Sequence, residues 1–262
     1  TGTVPIATEF TYEDAPSGLL GGAITFDDND EFVDVGTPEE WNSLIGNDAP
    51  NPSTYTFAFW IKIRESQESS YSRVLELGST DLAIYYKTNV SPNSLAFHID
   101  WQSNGDESKY YWGSGADLTP GQWTHVVMSW QPGGATNTYA DLQEPTLYIN
   151  GAPAGSSIQL NTNGTPAGNP ADYEDDNTLI GNREEGDRQL LAGLKDLIVW
   201  NRLLTSDEVA SLYEDYVGSR KQLNVGELNF DTDMTTATNL ETTASLDFFE
   251  AHYIIVNNTS SD

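Results

Sequence analysis

A two-residue period constrains this chain more than any other feature. In "STYTFAFWIKI", residues 53–63, Tyr55, Phe57, Phe59, Ile61 and Ile63 occupy every second position and so fall on one face of an extended strand. Short segments of the same kind follow along the chain. "AITFDDNDEFVDVG" (23–36) reads as a strand, an Asp/Asn turn and a second strand. "RVLELG" (73–78), "LAIYYK" (82–87), "SLAFHIDW" (94–101) and "WTHVVMSW" (123–130) come next, then "TLYINGAPAG" (146–155), "NTLIGN" (177–182) and "LLAGLKDLIVW" (190–200). Gly, Pro and Asn separate them, and the Asn150-Gly151 pair supplies the positive φ angles of a tight hairpin. Many short strands with such turns predict an all-β fold of packed antiparallel sheets, a sandwich or a barrel. At 262 residues the chain is the size of one large β domain.

One helix interrupts the pattern. Thr205 and Glu208 stand in capping-box spacing, and Val209, Leu212, Tyr213 and Tyr216 follow at i, i+3, i+4 and i+7. That apolar stripe predicts a helix lying on the sandwich as a lid. The flanks differ in character: residues 1–19 read as a linker or an edge strand, and 20–218 as the β domain. Residues 219–262 read as an extension whose "LDFFEAHYIIVNN" is strand-like. That segment fits a late strand of the sandwich, the start of a following domain, or an element exchanged between subunits.

Eleven basic residues face forty acidic ones, a formal charge of -29. Such a surface repels phosphates and anionic lipid, which excludes nucleic acid as a partner. No apolar run reaches the eighteen or so residues of a membrane span, so membrane insertion is not expected. The acidity fits a solvated surface first, and after it a salt-rich habitat or calcium sites. Cysteine is absent, which removes disulfides, Cys-zinc sites and thiol nucleophiles. Asn-x-Ser/Thr triplets at Asn89, Asn163, Asn257 and Asn258 lean towards an extracellular or cell-surface location.

Six pieces in order resemble the laminin G-like, pentraxin-like branch of the concanavalin A-like jelly rolls. They are "AITFDDNDEFVDV", "YTFAFWIKI", "GQWTHVVMSW", "TLYINGAPAG", "LIGN" and "GLKDLIVWNRLLTSDEVASLY", together spanning roughly residues 20–216. The resemblance implies a two-sheet antiparallel jelly roll with one short C-terminal helix. The same fold carries lectins, adhesion modules, enzymes and structural subunits, so it does not choose among them. Two departures stand out: Asp28 replaces the usual glycine after Phe-Asp, and Lys195 stands where the family often has an acid.

Calcium is the expected cofactor, because it takes six to eight hard oxygen ligands from flexible loops. Asp27, Asp28 and Asp30 share one turn with Asn29, and the resemblance implies a calcium held between first and last strands, with Asp196 completing it. Asp172, Glu174, Asp175 and Asp176 form a second candidate set, in the long loop before residue 178. For a glycan, aromatic rings stack on sugar faces while carboxylates and amides bind hydroxyls. The segment 98–115 offers Trp101, Tyr110 and Trp112 with Asn104 and Asp106, and Tyr173 offers a further ring. Strand alternation sends Tyr111 opposite to Tyr110 and Trp112, so some of these rings belong to the core.

No Glu-x-Asp-x-Glu strand of the glycoside hydrolase kind occurs, and His98, His125 and His252 stand apart in the sequence. Nor is there a serine elbow, a phosphate loop or a zinc-ligand pair. The sequence therefore predicts a non-catalytic, calcium-assisted module that binds a carbohydrate or surface ligand. A second reading is a structural subunit of a virion or surface appendage, self-associating through 1–19 and 219–262. A polysaccharide-degrading enzyme ranks third.

Overall fold

The computed structural model describes residues 11–14, 22–27, 31–49, 53–78, 81–90, 93–101, 107–112, 118–132, 144–163, 170–174, 176–223 and 251–253. Its strands are β1 (Thr11–Asp14), β2 (Gly22–Phe26), β3 (Val33–Asp34), β4 (Tyr55–Ile63), β5 (Tyr71–Leu77), β6 (Leu82–Lys87), β7 (Ser94–Asp100), β8 (Glu107–Trp112), β9 (Thr124–Trp130), β10 (Thr146–Ile149), β11 (Ala152–Pro153), β12 (Ser157–Asn163), β13 (Leu179–Ile180), β14 (Ala192–Trp200) and β15 (Ala251–Tyr253). Helix α1 is Pro38–Leu44 and helix α2 is Ser206–Leu223. Two sheets result. The first runs β1-β2-β14-β4-β9-β10-β11, with β15 also on β14, and the second runs β12-β8-β7-β6-β5-β13-β3.

The period of two fixes which side chains meet between the sheets. Phe57, Phe59, Ile61 and Ile63 of β4 face Leu75, Leu77, Ile84, Phe97, Ile99 and Tyr110 of the second sheet, all in one buried cluster. Each such Phe, Leu or Ile contributes about 1.5–3 kcal/mol on burial. The Asn150-Gly151 turn forms as expected, with φ of 51° and 79°, and joins β10 to β11. The first strand pair does not. β2 pairs with β1 and β14, whereas β3 pairs with β13 in the other sheet, so the chain crosses between sheets at the acidic segment instead of turning back.

Helix α1 was not foreseen from periodicity, being only seven residues long. Its start is nonetheless encoded: Thr37 and Glu40 form a reciprocal capping box and Pro38 fills the first turn. Trp41 anchors it in the core and donates Nε1–H to the Val35 carbonyl at 3.2 Å.

Helix α2 begins as predicted, with Glu208 N–H donating to Thr205 Oγ1 at 3.2 Å and Thr205 N–H to the Glu208 carboxylate at 2.7 Å. It covers the outer face of the first sheet, where Val209 and Leu212 pack with Ala58, Val127, Tyr148, Ile198 and Trp200. Tyr213 stacks on His125 at 5.9 Å, and Trp60 lies 6.0 Å from Tyr213. The three form one aromatic stack beneath the helix. β14 and β4 are therefore covered on both faces. The Ala251–Tyr253 strand pairs with β14 of its own chain.

Burial beneath α2 lowers the pKa of His125 from 6.5 to about 4. The unfolded chain takes up this proton below about 6.5 while the native chain does not until about 4, so stability falls with pH across that window. Urea unfolding at pH 7 and pH 4.5 should show wild type losing about 2–3 kcal/mol more than His125→Gln over the same interval. Parallel pH profiles for the two proteins would contradict this account.

Candidate functional site

The outer face of the second sheet has no helix over it among the described residues. Register places its side chains in rows. Arg73 lies opposite Tyr85, Tyr85 opposite Ala96, and Ala96 opposite Tyr111. In the next row Glu76, Ala83, His98 and Lys109 stand side by side, and beyond it Asp100 faces Glu107. Tyr71 and Lys87 pair at the other end.

The two alanines decide the shape. Set among long side chains, Ala83 and Ala96 leave a floor on which the rings of Tyr71, Tyr85 and Tyr111 pack as a separate apolar cluster. Tyr71 and Tyr85 ring centres are 5.9 Å apart and tilted. Cations flank the rings: the Lys87 Nζ lies 4.3 Å from the Tyr71 ring centre, Arg188 5.1 Å from it, and Arg73 5.0 Å from the Tyr85 ring centre. Arg73 is buried and ion-paired with buried Glu76, which holds its guanidinium in place. Lys87 also donates to Asn89, and Asn89 Nδ2–H donates to the Tyr71 hydroxyl at 2.9 Å.

These contacts push the phenols apart. The hydrogen bond from Asn89, with Lys87 and Arg188 nearby, holds the Tyr71 hydroxyl below its ordinary pKa. Burial pushes Tyr85 up to about 12, against the opposing pull of Arg73. Tyr71 and Tyr111 remain half-buried, so their rings are available to a ligand laid along the sheet. The arrangement offers the Tyr71 and Tyr111 rings for apolar surface, with exposed Asn89 and partly exposed Arg188, Lys109 and Glu107 around them for hydroxyls, while Arg73, Tyr85 and Lys87 are buried beneath. That combination suits a carbohydrate.

The rings favoured from sequence are elsewhere. Trp101, Tyr110, Trp112 and Tyr173 are all buried in the core between the sheets, with exposures of 2%, 2%, 0% and 4%. Trp101 donates Nε1–H to Ser108 Oγ at 2.9 Å and meets Trp130 edge-on at 6.0 Å. Tyr110 and Trp112 take the inward parity of β8, which turns Tyr111 outward. Tyr173 is buried in the core, which also raises its hydroxyl above the usual range, so this ring is not a ligand platform. Asn104 and Asp106 lie outside the described residues.

The acidic residues separate in a similar way. Asp28, Asp30 and Asp175 lie outside the described residues. Phe26 pairs with Ala192 in β14, so Asp196 lies level with residue 22, five residues and about 16 Å along the strand from Asp27 at about 3.3 Å per residue. Asp27 meets Arg64 at 3.3 Å, and Asp196 meets Lys195 at 3.2 Å in a bulge where its φ is 50°. Asp27 and Asp196 do not fit one calcium ion. On the second segment, Asn47 Nδ2–H donates to Asp172 Oδ1 at 2.7 Å, and Asn42 clamps the Tyr173 backbone with bonds of 2.8 and 3.0 Å. The Asp81 carboxylate accepts Glu174 N–H at 3.0 Å, and Asp176 holds the Glu184 carboxyl above its usual pKa through a shared hydrogen bond.

Residues 40–210 of the chain match a family model described as the concanavalin A-like lectin/glucanases superfamily. The chain belongs to that superfamily. No curated protein matches it. Among solved structures it is similar to the binding domain of paraclostridial mosquitocidal protein 1, at 16% identity and a TM-score of 0.51, over 82% of this chain and 47% of that one. It is also similar to the receptor-binding domain of botulinum neurotoxin type G, at 12% identity and a TM-score of 0.47, over 81% of this chain and 46% of that one. A third is domain 4 of AbnA, an extracellular arabinanase of Geobacillus stearothermophilus solved with arabinotriose, at 17% identity and a TM-score of 0.46, over 81% and 82% of the two chains. The chain thus spans about half the length of the two toxin domains. At these identities the likeness concerns the fold. No helix among the described residues is long and apolar enough to cross a membrane.

Proposed function

We propose that this superfamily domain is an extracellular module that binds a carbohydrate or surface glycan without turning it over, through the outer face of the second sheet. The observation that carries the proposal is the tyrosine cluster Tyr71, Tyr85 and Tyr111 on the alanine floor, ringed by Arg73, Lys87, Asn89 and Lys109. The core does not need these rings, because they face away from it. The names of the similar structures, a binding domain, a receptor-binding domain and an arabinotriose complex, support a ligand of this class.

The structural-subunit reading drew on the strand-like C-terminal segment, and the pairing of Ala251–Tyr253 with β14 of the same chain weakens it. A glycan-array screen followed by calorimetry checks the binding proposal. Wild type should bind at least one oligosaccharide, and Tyr111→Ala should weaken it about tenfold or more while leaving the Tm within a few degrees. No bound glycan, or equal affinity in the variant, would overturn the reading.

For calcium we propose the 170–177 segment alone. There Asp172, Glu174 and Asp176 follow closely in sequence, and Asp176 lies against the Glu184 carboxyl, two acids whose repulsion a bridging cation would relieve. Millimolar Ca²⁺ should raise the Tm by a few degrees and EDTA should reverse it, as expected when an ion binds only the native state. A melt indifferent to both would contradict calcium at this segment and leave the tyrosine face untouched.

A further inference from the structure

His98, Asp100 and Glu107 form a group that neither the core nor the tyrosine cluster accounts for. Among the described residues, they are the one set of three His and carboxylate side chains whose ligand atoms all lie within 4.8 Å of one another. Their position follows from the sheet. His98 and Asp100 are two apart on β7 and so share a face, and Asp100 stands directly opposite Glu107 of β8. Two carboxylates directly opposite each other across a strand pair repel, which destabilises the pairing unless a positive charge lies between them.

His98 supplies an independent observation. Its side chain is only 6% exposed, and its Nε2 faces Asp100 Oδ1 at 2.7 Å. Neither atom, both sealed from solvent, has a hydrogen-bond partner of acceptable alignment. Buried polar atoms are nearly always paired, and here the close His98–Asp100 contact is not aligned as a hydrogen bond, so the imidazole lone pair and the carboxylate oxygen are left to converge on a shared third group. Lys109 lies opposite His98 and pairs with Glu107, but a carboxylate has two oxygens, and one remains for a second partner.

We propose that His98, Asp100 and Glu107 hold one first-row divalent transition ion of the zinc class. The donor set decides the kind of metal. Imidazole nitrogen with two carboxylates suits zinc and its neighbours, whereas calcium and magnesium prefer an all-oxygen shell. Three protein ligands leave at least one position open, filled by water or by a hydroxyl of a bound ligand. Lys109 then acts as a positioning residue that orients the Glu107 carboxylate. The site lies one row from the tyrosine cluster on the same face. It stands whether or not that cluster binds a glycan.

The test uses the whole chain, treated with chelator and dialysed, and zinc chloride alone as the probe. Calorimetric titration in excess calcium should show one zinc ion per chain, with affinity lower by about tenfold or more in both His98→Gln and Glu107→Gln. No binding, equal binding by the variants, or displacement by calcium would overturn the proposal. Wild type provides a check that does not depend on how the variants fold. In long-range ¹H–¹⁵N spectra of the three imidazoles, assigned with His125→Gln and His252→Gln, zinc should shift the His98 Nε2 resonance alone. Shifts at all three histidines, or at none, would mean surface binding or no site.

Discussion

Strand β4 is buried on both faces, and the rest of the structure is arranged around that fact. Its odd-numbered rings and branched chains meet the second sheet, while Ala58 and Trp60 on the other side lie under helix α2. A strand in this position needs pairing at both edges, supplied by β14 and β9, and cover on both faces. The cover on the outside is one capped helix of eighteen residues. Its stack of Trp60, His125 and Tyr213 explains both the close fit and the neutral, buried histidine.

The same arrangement leaves an asymmetry that organises function. The outer face of the first sheet is spent on α2. The outer face of the second carries Tyr71, Arg73, Glu76, Tyr85, Lys87, His98, Asp100, Glu107, Lys109 and Tyr111, of which Arg73, Glu76, Tyr85, Lys87 and His98 are buried and the rest partly exposed. Side chains there hold one another through cation–π contacts and ion pairs, so the face is ordered before any ligand arrives. Such preorganisation lowers the entropic cost of binding. It also places the carboxylate–histidine group and the aromatic group in adjoining rows of one face.

Most of the fold was legible in the sequence, and the site was not, for a physical reason. Periodicity reveals that Tyr111 opposes Tyr110 and Trp112, but not which parity points inward. Both faces of β8 carry aromatics, so hydropathy does not break the tie, and the outward rings were assigned to the wrong side. In β5 a bulge between Arg73 and Leu75 shifts the phase, so that Arg73 and Glu76 share a face although three residues apart. Strict alternation hides that pair. A second bulge, in β14 between Lys195 and Ile198, puts Asp196 into a left-handed kink, and strand register, not visible locally, sets it five residues along from Asp27. His98, Asp100 and Glu107 come together only through cross-strand register, which local sequence does not display. Helix α1 was announced by its capping residues but was too short to register as a periodic segment.

The claim on which this account rests is that ligand engages the outer face of the second sheet and not the rim. The most direct measurement is ring ¹³C-resolved NMR of the tyrosines during titration with a pooled oligosaccharide library. The account predicts shifts concentrated at Tyr71, Tyr85 and Tyr111, with Tyr110 and Tyr173 unmoved. Shifts confined to residues around the 170–177 rim, or none at any tyrosine, would contradict it.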